Sequence, residues 1–504
     1  MDGLLCRAGT SESGTPVRGF LTAKGSSRRI FQLRRTIMFE FDLNTPGSVY
    51  FIGIGGVSMS GLAELLKSRG FTVSGSDRSA SEITDHLNEI GIPVAIGQRA
   101  DNVPDGIECA VYTAAVHPDN PEYITCVERG IPLIDRAELL GQVSRAYDVS
   151  IGVSGTHGKT TTTSMIAMML LQAQMDPTIS VGGKLAAIGG NIRIGQSDRF
   201  LFEACEYTNS FLKFFPTDIC ILNIDEDHLD FFKDINDIRH SFRLFAERLP
   251  ENGRLIINGE LPDLEAFLSG LTCEIVTYGL CRNGQTPADV PYTYTAANIT
   301  IDELGHPSYD LYARGKFVDR IQLSVPGVHN VSNSLAAIAE GTFRGISVED
   351  MKAALRIFTG TSRRFEIKGV RDGVTVVDDY AHHPTEIRAT LTAAQNYPHK
   401  SIWCVFQPHT YTRAKLLRKE FVRELALADK IVMADIYAAR EVNDGSISSA
   451  DLRDDLIAMG KEAYYFPSFD EITKFLQKNC VNGDLLITMG AGDIVTVGES
   501  YLKS

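Results

Sequence analysis

Long apolar runs are missing from this sequence. The longest in the helix expected after its second glycine loop is "MIAMMLL", Met165–Leu171, far short of the ~18 or more residues that a membrane-spanning helix needs. Cysteine patterning is missing too: the nine cysteines form no C-x-x-C pair and follow no regular spacing. That excludes a zinc knuckle, and it favours reduced thiols in a cytosol over disulfides. Positive charge is in deficit, with 49 Lys and Arg against 63 Asp and Glu and a formal net charge of −14. Such a chain has no overall field for nucleic acid or acidic membranes, because phosphate binding needs clustered Lys and Arg; local cationic pockets stay open. No repeat or low-complexity tract follows Met38. The expectation is a cytoplasmic protein whose partners are small molecules, with no nucleic acid and no membrane among them.

What is present is a chain of 504 residues, 44% of them hydrophobic, too long for one core, since single cores stop growing at ~250–300 residues. Residues 1–37 are rich in Gly, Ser, Thr and Arg and hold only two acids. They read as a disordered extension, with a start at Met38 as the simplest account and a targeting segment as the alternative. From Ser48 on, strands and helices alternate, which implies parallel sheets flanked by helices. Boundaries near Arg145–Tyr147 and Val325–Pro326 divide the rest into 38–147, 148–325 and 326–504. The fold class is α/β with three domains.

Two glycine turns follow strands and open helices. In "YFIGIGGVSMSG", Gly53, Gly55 and Gly56 let backbone N–H groups approach a pyrophosphate at a positive helix end, and Asp77 ends the next strand where a ribose-binding acid sits. A dehydrogenase is the first reading, but the third glycine of the dinucleotide fingerprint would fall at Ser58. In "GTHGKT", the backbone of Gly155, Thr156, His157, Gly158, Lys159, Thr160 and Thr161 can cradle phosphates. Lys159 supplies a point charge and Thr160 a hydroxyl for Mg²⁺. Val153 stands where the generic pattern has its first glycine. This loop predicts an ATP site.

Charged clusters lie beyond later strands. "EACEYTNSFL" carries Glu203 and Glu206, and "NIDEDHLDFF" carries Asp225, Asp227 and His228. Carboxylates at neighbouring strand ends beside a phosphate loop suit Mg²⁺. "GTSRRFE" and "DDYAHHPTEI" bring Arg363, Arg364, Asp378, Asp379, His382 and His383. The paired histidines also permit zinc, yet no third ligand stands nearby at metal spacing.

Together with "PGVHNVSNSLAA", "QPHTYTR" and "MGAGDI", these motifs resemble the Mur ligase family, in the family's order and over almost everything after Met38. The resemblance implies an N-terminal Rossmann-like sheet for a UDP-sugar, a central P-loop ATPase-like domain and a C-terminal Rossmann-like domain that brings the amino acid. It implies ATP-dependent joining of L-alanine to the lactyl carboxylate of UDP-N-acetylmuramate through an acyl phosphate, in peptidoglycan precursor synthesis. A relative that attaches a peptide to the same sugar is the alternative within the family. By the same resemblance, Thr160, Glu206 and His228 hold Mg²⁺, and His329, Asn330 and Asn333 belong to the ATP site. Lys159, Glu206, His228, Arg364 and Asp379 carry catalysis. Gly53, Gly55, Gly56, Ser58 and Asp77 face the UDP-sugar, and Tyr380, His382 and Arg413 face the amino acid. Thr410 stands where some relatives carry a second arginine.

Overall fold

The computed structural model describes residues 39–503 apart from 41, 114, 283 and 440; the expectation for residues 1–37 lies outside them. Three sheets organise the chain. The first is all parallel, in the spatial order Val94–Ile96, Thr72–Asp77, Ser48–Ile52, Cys109–Tyr112, Leu133–Asp135. Strand order reverses at Ser48–Ile52, so the crevice at its carboxyl end is where a doubly wound sheet takes its ligand. The turn into helix Val57–Ser68 sits there. Gly53 has φ 83°, and a Cβ on it would lie 2.8 Å from the Thr113 methyl carbon, so no larger residue fits.

The central sheet has ten strands. Its middle is Asp218–Ile221, Val149–Ser154 and Arg199–Glu203, mutually parallel. Their inner residues Ile219, Cys220, Ile221, Ile151, Val153, Phe200, Leu201 and Phe202 are all buried, as in a parallel sheet covered on both faces. Helix Lys159–Gln172 buries Met165, Ile166, Ala167, Met169 and Leu170 against the sheet. The strands Tyr294–Ile301, Pro307–Ala313 and Lys316–Gln322 pair antiparallel at one edge of this sheet. The third sheet runs Glu366–Arg371, Val374–Asp379, Leu485–Met489, Ile402–Phe406, Lys430–Met433, Glu462–Tyr465, with only the first strand antiparallel to its neighbour.

The boundary expected at 325/326 falls later. Helix His329–Phe343 and helix Val348–Ile357 bury Val331, Leu335, Ile338, Met351 and Leu355 in the same core as Met165 and Leu170. Their apolar faces complete the central domain, and the third core begins only beyond Phe358.

Candidate active site

The second glycine loop leaves strand Val149–Ser154 between two neighbours that end in Glu203 and in the Asn223–His228 loop. Register alone thus delivers carboxylates to both sides of it. Gly158 has φ 82°, and a Cβ there would meet Asn333 Oδ1 at 2.7 Å; glycine permits both the turn and that approach. Asn223 fixes the loop, accepting from His157 N at 2.8 Å and donating to His157 O at 2.9 Å. Lys159 Nζ donates to Glu206 Oε2 at 3.0 Å and to Thr156 O at 3.1 Å. Burial opposes the charge on Lys159, but the Glu206 carboxylate outweighs it and holds the ammonium above its ordinary pKa.

Thr160 Oγ1 donates to Glu203 Oε2 at 3.2 Å. His228 Nε2 stands 3.9 Å from Glu206 Oε1 and 3.9 Å from Asp227 Oδ2. Oxygen dominates these side chains, as suits Mg²⁺, but they stand as two sets, Thr160 with Glu203 and His228 with Glu206 and Asp227, and Glu206 and Asp227 are already paired with Lys159 and Arg413.

Helix His329–Phe343 and the third domain close a cavity of about 380 Å³ over this loop. His329, Asn330, Asn333, Arg364 and Asp379 all line it together with His157, Gly158, Thr160 and Thr161. Asn333 Nδ2 donates to Asn330 Oδ1 at 3.0 Å and Asn330 Nδ2 to Pro326 O at 2.7 Å. Burial, with Arg364 nearby, holds His329 down at about 4, so its ring is neutral. Burial pushes Asp379 up to about 6 against the pull of Arg364. Its oxygens accept from Ala381 N at 2.8 Å and Phe365 N at 2.9 Å.

A second cavity, of about 250 Å³, lies next to His228 and is lined by Asp227, His409, Thr410 and Arg413. Arg413 donates through Nε at 3.1 Å and Nη2 at 2.7 Å to Asp227 Oδ1. Thr410 caps the helix carrying Arg413 by accepting from Arg413 N at 3.4 Å, and does so at φ 66° and ψ 145°. Tyr380 and His382 do not line this cavity; His382 approaches it through His409, ring to ring at 5.6 Å. Burial holds His382 at about 4, and its Nδ1 lies 2.9 Å from Tyr380 O. Three residues that line this cavity, His228, Thr410 and Ala439, are non-glycine residues at positive φ. Such conformations cost ~1–3 kcal/mol each and persist where surroundings enforce them.

At the first turn, Asp77 Oδ2 accepts from Gly55 N at 2.8 Å, so the acid closes the turn. Ser58 Oγ accepts from Arg136 Nη1 at 3.2 Å, and Gly56 precedes the first helix residue. The expectation of no third metal-type ligand near His383 fails. The fold brings His157 and Asp225 to it, with ligand atoms within 4.8 Å of one another. His383 is already engaged, however: its Nε2 contacts Glu226 O at 2.8 Å and its Nδ1 accepts from Thr385 N at 3.3 Å. Sequence reasoning passed over Glu386, which joins His157, Arg364 and His382. Its signal was the acid three residues past His383 at a helix start.

A strand–glycine loop–helix with a buried lysine–carboxylate pair, capped by an arginine-bearing third domain, defines a nucleotide-dependent enzyme of three α/β domains. The chain belongs to the Mur ligase family: the models "Mur ligase family, catalytic domain", "Mur ligase middle domain" and "Mur ligase, glutamate ligase domain" match residues 48–148, 153–341 and 363–492. It is an ATP-dependent ligase. The UDP-N-acetylmuramate–L-alanine ligase of Lachnoclostridium phytofermentans is 57% identical over 92% of this chain and 100% of its own length. That of Lachnospira eligens is 56% identical over the same shares. The crystal structure of the UDP-N-acetylmuramate-alanine ligase from Thermotoga maritima superposes with a TM-score of 0.75 at 29% identity, over 90% of this chain and 98% of that one. Among the described residues no helix is long and apolar enough to cross a membrane, and the eight cysteines there are all free.

Proposed function

We propose that the protein joins L-alanine to the lactyl carboxylate of UDP-N-acetylmuramate at the expense of ATP, in peptidoglycan precursor synthesis in the cytoplasm. The observation that carries this reading is the near full-length likeness to ligases of that name. Arg413, in the small cavity beside His228, supports it.

A carboxylate is a poor electrophile because its charge repels an incoming amine. Attack of a lactyl oxygen on the γ-phosphorus of ATP expels ADP and leaves an acyl phosphate. The alanine amine then adds to the carbonyl carbon, loses a proton, and inorganic phosphate departs. Charge spread over the moving phosphoryl group must be met by fixed cations. Lys159 and Arg364 are those cations, and Glu206 aims Lys159. Mg²⁺, held by Thr160, Glu206 and His228, would neutralise phosphate oxygens. His329, Asn330 and Asn333 bind the nucleoside end of ATP, and Asp379 anchors Arg364. Gly53, Gly55, Gly56 and Ser58 present the first turn to the UDP-sugar, with Asp77 bracing it.

Arg413 takes the carboxylate of alanine through its fork. His382, its Nδ1 2.9 Å from Tyr380 O, packs behind His409 at the edge of that site. The test is ADP release from ATP, UDP-N-acetylmuramate, L-alanine and Mg²⁺ with each omitted in turn. Full-rate ATP turnover without the sugar nucleotide would sink the reading.

A further inference from the structure

Glu386 lies in the first turn of helix Pro384–Gln395 of the third domain, with its side chain 12% exposed. Its two oxygens face different partners. Oε1 stands 3.4 Å from Nδ1 of His157, in the glycine loop of the central domain, and 3.6 Å from Nη1 of Arg364. Oε2 accepts from the backbone N of His382 at 3.1 Å and lies 3.3 Å from its Nδ1. One oxygen therefore addresses residues that line the nucleotide cavity and the other addresses the residue that leads to Arg413. The flanking residues dock the same helix start on the central domain. Thr385 Oγ1 donates to Asp225 Oδ2 at 2.6 Å, and His383 Nε2 reaches Glu226 O at 2.8 Å. Asp225 in turn lies 3.3 Å from the other nitrogen of His157. The His157 ring is thus gripped between one carboxylate of each domain.

We propose that Glu386 is a positioning residue that couples the nucleotide site to the amino-acid site, through His157 and Arg364 on one side and His382 on the other. The inference rests on the ligase reading and deepens it. When ATP sets His157 and Arg364, Oε1 is drawn with them, the helix start follows, and Oε2 carries His382 into place. Such a two-sided contact can carry an effect of nucleotide on amino-acid affinity, and that effect must be reciprocal. A carboxylate suits this role because it accepts from cationic donors on one side and from an N–H on the other.

The competing role is a helix cap: Glu386 occupies the third helical position and accepts a backbone N–H. Glu386→Gln separates the two. The amide oxygen can still accept from His382 N, so the cap and the fold persist, but the NH₂ cannot accept from His157 and Arg364. The experiment measures the Kd for L-alanine by calorimetry, with UDP-N-acetylmuramate and Mg²⁺ present, with and without saturating β,γ-imido-ATP. In the parent, the nucleotide analogue should tighten alanine binding about 5-fold or more, as for a modest coupling. In Glu386→Gln the ratio should fall close to one in a chain that still unfolds cooperatively, at a melting temperature lowered by the loss of a carboxylate partner for His157 and Arg364. A variant that keeps the parent ratio, or a parent whose ratio is one, overturns the proposal. A parent that binds no alanine under either condition overturns the ligase reading with it, an outcome distinct from binding without coupling.

Discussion

Arg413 and Asp227, 186 residues apart and in different domains, share a forked contact in which Nε and Nη2 both donate to one carboxylate oxygen. Burial raises and Arg413 strongly lowers the Asp227 carboxyl, and the net effect holds it well below the usual carboxylate range. The contact has the chemistry of a bound amino-acid carboxylate. If Arg413 grips the amino acid as proposed, alanine displaces an internal carboxylate to reach it.

Arg413→Ala removes that grip. Charge-assisted hydrogen bonds contribute ~1.5–3 kcal/mol each at most. The expected result in steady-state kinetics is a KM for L-alanine raised about 10- to 100-fold, with KM for ATP and the sugar nucleotide nearly unchanged. Equal alanine KM values in variant and parent would remove Arg413 from the site.

Lys159→Ala should act twice. Loss of one fixed charge at a phosphoryl-transfer centre costs roughly 3–4 kcal/mol of transition-state stabilisation, about 10²- to 10³-fold in rate. It also leaves Glu206, 2% exposed, without its partner, and breaking such a buried pair costs up to ~3–5 kcal/mol of stability. The double variant Lys159→Ala/Glu206→Gln should regain much of the melting temperature and none of the activity. Calorimetry that finds the single variant as stable as the parent would contradict the pairing.

Glu340 is fully buried in the central core, between Asp218 and Arg344. Arg344 Nε is 3.0 Å from its Oε1, but the N–H is not aimed at the oxygen and neither atom is hydrogen-bonded. Burial and Asp218 outweigh the arginines, and the carboxyl is pushed up to about 8. With the folded value above the unfolded one, its contribution is fully present below the unfolded pKa and is lost as pH rises through 8. Glu340→Gln, which imitates the protonated acid, should match the parent in urea titrations at pH 5 and exceed it at pH 9. The reverse order would refute a neutral Glu340.

Asp379 is pushed up to about 6. If its negative charge anchors Arg364, kcat/KM for ATP should rise with pH through an acid limb centred near 6. Asp379→Asn should lower kcat/KM and flatten that limb, since the amide cannot ionise. A limb that persists unaltered in the variant assigns it to another group.

Local pattern made both glycine turns legible, because a turn between a strand and a helix needs few neighbours to be recognised. The residues around the second turn were legible as well: strand ends place Glu203 and the Asp225–His228 loop beside Lys159 by register. Helix His329–Phe343 was readable as a helix but not as part of the central core, since its apolar faces name no partner. Spacing placed Asp77 at the end of the second strand but could not show that it also accepts from Gly55 N and braces the turn. Glu386 and the Asp227–Arg413 contact depend on two domains meeting, which no window of neighbouring residues encodes.

The glycine loop and the acids beside it hang from three adjacent strands of one sheet, whose spacing of ~4.8 Å is set by backbone hydrogen bonds. Arg413, Tyr380 and His382 hang from a separate sheet. The Lys159 half of the phosphoryl-transfer centre is thereby built on a rigid ruler, and Arg364 is brought to it by the domain that carries the proposed amino-acid residues. If Arg413 grips the amino acid as proposed, any change of acceptor made in the third domain has to leave Arg364 in register with that ruler.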